Sequence, residues 1–151
     1  MALEPVSYQF PARVGGFDAN WVVVAGTVSI QEGSWSFRES SLTTFEARGI
    51  STWLRSVAQG RVEATAPDDE GVLVPSLSFT EPDLAFSVAE QSNASVDLRV
   101  HLCHGYAPPW LDIDDRLNMW QFFVTVPLGA NQLQDAADAW DRDWLAFPER
   151  P

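Results

Sequence analysis

Ala94-Ser95-Val96-Asp97-Leu98-Arg99-Val100-His101-Leu102-Cys103 alternates with a period of two from end to end. Val96, Leu98, Val100 and Leu102 fall on one face, and Asp97, Arg99, His101 and Cys103 on the other. Successive side chains of a strand point to opposite sides of its sheet, so this pattern predicts a half-buried antiparallel strand with a wet outer face. Such a strand needs neighbours, and the chain supplies them on both sides. Upstream, residues 76–80 and 84–89 read as strands separated by Glu81-Pro82-Asp83, a tight-turn composition. In the second of them Leu84, Phe86 and Val88 alternate with small or polar residues. Downstream, residues 106–118 are irregular, with Pro108-Pro109 and three aspartates, before residues 120–126 resume as a strand.

The first half adds a hairpin and a helix. Residues 21–30 are rich in β-branched side chains, with Val22, Val24, Val28 and Ile30 on one face. Gly26 shares that face, where a bulge or a close-packed neighbour accounts for the missing side chain. Gln31-Glu32-Gly33 turns the chain and residues 35–38 return, so 21–38 reads as a β-hairpin. Residues 7–10, ended by Pro11, read as a short edge strand or arm, and Gly15-Gly16 as a turn. A helix is expected over 41–59, with Thr43 as N-cap, Glu46 completing a capping box, and Gly60 at the C-terminal cap. Phe45, Ile50, Trp53, Leu54 and Val57 line one side of it. Gly49 in its middle costs about 1 kcal/mol relative to Ala.

A second helix is expected from Asn131 to about Phe147, capped by Asn131 with Gln134 three residues on and stopped by Pro148. Leu133, Ala137, Trp140 and Trp144 form its apolar stripe, while Asp135, Asp138, Asp141 and Asp143 make the remainder acidic. About seven consecutive strands with two helices outside them predict one α+β domain over residues 1–151. Its antiparallel sheet would be curled or sandwich-like.

Charge narrows the function. The chain has 21 Asp and Glu against 9 Lys and Arg, a formal net charge of −12. That balance repels nucleic-acid phosphate and attracts basic partners, so it argues for a basic protein partner or for simple solubility. The single cysteine, Cys103, allows no intrachain disulfide and fits a reducing cytoplasm. No signal peptide is visible, and the longest apolar stretches, 21–25 and 122–126, are too short to span a bilayer. A cytoplasmic protein is expected.

Candidate chemistry is sparse. His101-x-Cys103-His104 is the one cluster of soft ligands, but the alternation separates His104 from the other two, and no further Cys or His exists to complete a zinc site. A Cys103–His nucleophile would need a base in reach and an oxyanion donor, and no family signature surrounds it. Asp112-Ile113-Asp114-Asp115 lacks the glycine and later glutamate of a calcium loop. No GxSxG, phosphate loop or HExxH occurs. No catalytic residue, cofactor or metal is therefore expected. Two acidic loops remain. Asp68, Asp69 and Glu70 lie between Pro67 and Gly71, while Asp112, Asp114 and Asp115 follow Trp110. An aromatic beside a carboxylate cluster has the composition of an interface hot spot for a basic partner. The plainer reading of Trp110 is a lid over the end of a sheet.

The order of these pieces resembles the WapI-type bacterial immunity proteins. The likeness rests on Asn20-Trp21-Val22-Val23-Val24, on Gly33-Ser34-Trp35-Ser36-Phe37, and on Leu42-Thr43-Thr44-Phe45-Glu46 leading to Trp53-Leu54. It continues through Phe79-Thr80-Glu81-Pro82-Asp83-Leu84-Ala85-Phe86 and Pro108-Pro109-Trp110. Each piece is structural, so the likeness speaks mainly to fold. It implies a small non-enzymatic protein that neutralises a polymorphic toxin, typically a nuclease domain, by occluding it. It assigns no contact residue; Asp68, Asp69, Glu70, Trp110, Asp112, Asp114 and Asp115 are candidates from loop position and charge. Two other readings stand beside it. One is a β-rich carrier with an aromatic-lined pocket for a small molecule. The other is a structural homodimer joined at the edge of the Trp21 hairpin.

Overall fold

Seven strands form in the computed structural model, which describes residues 1–151, and they divide between two antiparallel sheets. The first has the order β1-β2-β3, with β1 Ala2–Tyr8, β2 Trp21–Ile30 and β3 Gly33–Thr43. The second has the order β4-β5-β6-β7, with β4 Leu77–Ser78, β5 Leu84–Gln91, β6 Val96–Leu102 and β7 Phe123–Leu128. Three helices complete an α+β fold: α1 Thr44–Ala58, α2 Ile113–Leu117 and α3 Ala130–Trp144. The five-residue α2 was not expected from the sequence.

β2 has the bounds the β-branched run predicts, and Val22, Val24 and Val28 are buried on one face. Gly26 pairs with Phe37 of β3, whose ring occupies the space over the glycine. β3 is longer than expected, running directly into α1. β1 is also longer than the 7–10 reading and begins at Ala2. Pro5 concealed it: a proline argues against a strand, yet here it lies on an edge strand, where the register shifts between Pro5 and Ser7. β1 thereby takes the edge of the Trp21 strand that the dimer reading left open.

In the second sheet the alternation of β6 holds for its apolar face, where Val96, Leu98, Val100 and Leu102 are buried. The other face is half-buried at Asp97 and Arg99 and closed beyond them. His101 has no exposed surface and Cys103 almost none. Two irregular segments cover that face. The His101 Nδ1 hydrogen bonds at 2.6 Å to the Trp120 carbonyl, just before β7. Arg99 of β6 donates to the Thr65 carbonyl at 3.0 Å and lies over the Phe123 ring. The same 61–76 stretch borders β5, since the Thr65 N–H donates to the Val88 carbonyl and the Ser76 N–H to that of Phe86. β4 is thus shorter than the 76–80 strand expected, and β7 starts later than residue 120 because Trp120 adopts a left-handed turn conformation (φ 67°).

α1 carries the expected capping box. The Glu46 N–H donates to the Thr43 hydroxyl, and the Thr43 N–H to the Glu46 carboxylate at 3.0 Å. The same carboxylate accepts the Thr80 N–H at 2.7 Å, tying the helix start to the second sheet. Ile50, Trp53, Leu54 and Val57 are buried, but Phe45 is exposed and packs against Phe17 instead of the core. α3 buries Leu133, Ala137, Trp140 and Trp144 as expected. Its cap lies two residues earlier than Asn131: the Gly129 N–H donates to the Gln132 side chain at 2.9 Å. α1 and α3 are joined by the Trp140 indole donating to the Ala47 carbonyl at 2.8 Å and by Arg55 between Asp138 and Asp141. The core draws on both sheets and both long helices. No helix is long and apolar enough to cross a membrane.

Candidate functional site

The chain between β6 and β7 is anchored at one end and open at the other. Tyr106 is fully buried, its ring stacked on Phe37 with centroids 3.9 Å apart. Its hydroxyl hydrogen bonds to Ser41, and its carbonyl accepts the Trp35 indole N–H at 2.9 Å. Pro108 is also buried, and beyond it the chain emerges. Trp110 packs edge-on against Trp35 at 5.3 Å and lies over Gly33, so the lid reading is met in part, yet 46% of the residue remains exposed. Asp112 then stands at the N-cap position of α2 with no side-chain capping bond, and the first turn carries Asp114 and Asp115.

All seven sequence-predicted residues are on the surface. Asp68 also shapes its own loop, since one carboxylate oxygen accepts the N–H groups of Glu70 at 2.9 Å and Val72 at 2.8 Å. Glu70 is brought to the segment that follows α2. With Val72 it forms one wall of an open groove of about 560 Å³ whose other wall is residues 117–121. The Asp68–Glu70 loop, distant in sequence, therefore borders the end of the segment that carries the second acidic loop.

The sequence reading missed the apolar surface between them. Ile113 is 63% exposed, Leu117 54% and Met119 45%, and Val72 and Val74 are exposed on the facing loop. Ile113 and Leu117 are four residues apart, so they share one side of α2. That spacing was visible in the sequence, but the interleaved aspartates drew the reading toward charge alone.

Arg116, the cation of this segment, is turned back and donates to the His104 carbonyl at 3.3 Å. His104 is itself held by Asp83, with Nδ1 and Oδ1 2.9 Å apart. Burial pushes the Asp83 carboxyl above its ordinary pKa, against the pull of His104. Cys103 donates its thiol to the Pro82 carbonyl, and burial raises its pKa. A buried thiol of this kind is not poised as a nucleophile. His101 has both ring nitrogens engaged, by Trp120 and by Ser87 at 2.8 Å. No three His, Cys, Asp or Glu side chains converge as metal ligands. A separate apolar cleft of about 350 Å³ opens between the start of β1, β7 and α3, lined by residues including Leu3, Leu54, Leu128 and Trp140.

The model of the Immunity protein WapI-like family matches residues 1–148. The chain belongs to that family. The match extends beyond the pieces between Asn20 and Trp110 that carry the resemblance and takes in all seven strands and the three helices. No curated protein and no solved structure matches the chain.

Proposed function

We propose that this protein is a non-enzymatic, cytoplasmic immunity protein that neutralises a toxin by binding it through the face formed by Trp110, α2 and the Asp68–Glu70 loop. The observation that carries this reading is the exposed apolar group Trp110, Ile113, Leu117 and Met119, framed by Asp112, Asp114, Asp115 and Glu70. Aromatic and Met side chains are enriched at interface centres, and a carboxylate rim selects a basic partner. A nuclease toxin domain fits, because such domains carry positive charge to hold phosphate. Occlusion of that basic surface would stop catalysis without any chemistry from this chain.

Capture from the source lysate, eluted by a salt gradient, tests the reading when run beside a variant with Asp112, Asp114 and Asp115 all changed to Lys. The expected result is a basic protein held by the wild type at low salt and lost with the variant. Retention of the same protein by both would refute the assignment of the face. The 350 Å³ apolar cleft favours a second reading, carriage of a small apolar molecule. That reading predicts a co-purifying ligand in organic extracts of the native protein.

A further inference from the structure

We infer that the groove between Glu70 and residues 117–121 is an anchor site for one arginine side chain of the partner, an inference that rests on the binding face proposed above. The groove joins two chemistries. Val72, Leu117 and Met119 are exposed apolar walls, and Glu70 stands beside them with Asp69 next to it in the loop. An aliphatic stem needs the first and a cation needs the second, and Arg carries both on one side chain. An acidic side chain would be repelled, and a purely apolar one would desolvate Glu70 with no compensating charge.

Arginine is preferred over lysine because of what else lines the groove. Trp120 forms part of the wall, and a guanidinium stacks on an indole better than an ammonium does. The Gln121 side chain donates to the Met119 carbonyl at 3.3 Å, which leaves its amide oxygen as a further acceptor. The chain's own Arg116 does not fill the site, being committed to the His104 carbonyl.

The wall is also preorganised. Trp120 holds a left-handed backbone conformation, which is costly for a bulky residue and persists only where the surroundings enforce it. Here the buried His101 anchors the Trp120 carbonyl through a 2.6 Å hydrogen bond. A groove held open in the free protein loses less conformational freedom on binding.

The test uses the full chain and a probe, N-acetyl-arginine amide, with the uncharged N-acetyl-citrulline amide as control. Backbone amide shifts are followed by NMR. The expected result is a saturable response confined to residues 70–72 and 117–121, absent with the citrulline probe, and weakened by Glu70→Gln about two- to fivefold, as for one exposed charge pair. Shifts spread over the whole acidic surface, an equal response to citrulline, or an unchanged affinity in Glu70→Gln would each overturn the proposal. Failure here together with loss of capture by the triple Lys variant would leave the binding face standing and remove only its arginine anchor. Confined binding of the probe with capture unaffected by that variant would remove the binding face and with it the groove's role as a partner anchor.

Discussion

The same substitution at two glycines should move stability in opposite directions. A Cβ built on Gly26 would lie 2.2 Å from Cζ, 2.5 Å from Cε2 and 2.8 Å from Cε1 of Phe37. Phe37 has little room to retreat, because its other face is stacked on the buried Tyr106 ring. Tyr106 is fixed in turn by Ser41 and by the Trp35 indole. Gly26→Ala is therefore overpacking of a closed stack, which costs about 1–3 kcal/mol. For a chain of this size that lowers Tm by roughly 2–12 °C. At Gly49, in the middle of α1, the nearest atom to a new Cβ is Leu77 Cδ1 at 3.9 Å, an ordinary contact. Gly49→Ala removes the entropic penalty of a helical glycine with no clash and should gain about 0.5–1 kcal/mol, or roughly 1–4 °C. Thermal unfolding followed by circular dichroism reads both. An unchanged Tm for Gly26→Ala, or a loss for Gly49→Ala, would refute the packing argument.

Two pH effects follow from buried groups. For Glu46, burial alone would raise the pKa, but the hydrogen bonds from Thr80 and Thr43 outweigh it and hold the group below its ordinary value. Its contribution is complete above the ordinary carboxylate range and lost as pH falls through the depressed value. Glu46→Gln should cost roughly 1–2 kcal/mol at pH 7 and flatten the acid limb of stability in urea titrations. For His101, burial favours the neutral ring and lowers the pKa, against the Trp120 carbonyl, with Arg99 adding to the lowering. The unfolded chain then takes up a proton that the native state refuses, so stability is complete above the ordinary histidine pKa and falls on acidification below it. The slope from this one proton has a ceiling of about 1.4 kcal/mol per pH unit and should be missing from His101→Gln; an identical slope in both proteins would exclude His101 as its source. The triple Lys change at Asp112, Asp114 and Asp115 should alter folding stability by no more than about 0.5 kcal/mol, since these are surface positions. A large drop in its urea midpoint would mean that these aspartates hold the fold.

The parts of the fold legible in the sequence were those decided by local periodicity and capping. β2, the apolar face of β6, the Thr43–Glu46 box and the Trp140–Trp144 stripe all stand where residue spacing put them. The readings that shifted depended on distant chain. His101 and Cys103 looked solvent-facing because nothing local says that Trp120 and Phe123 will pack on the first and Pro82 on the second. β1 starts at Ala2 and tolerates Pro5 because it pairs on one side only, an edge position set by distant β2. At the candidate face the carboxylates were legible one by one, but the meeting of Glu70 with the end of α2 was not, because a groove between segments almost fifty residues apart has no local signature. The Ile113–Leu117 pair has no signature in the irregular 106–118 segment because a five-residue helix is too short for a helical period to stand out.

The central claim is that an acidic, apolar-centred face around α2 holds a basic toxin domain. The most direct test is the association rate between this protein and the captured toxin domain, measured by stopped flow across a series of salt concentrations. The account predicts fast association that slows steeply with salt, and a triple Lys variant whose on-rate at low salt falls far more than its off-rate rises. An on-rate indifferent to salt and equal in the two proteins, with the toxin still inhibited, would contradict it.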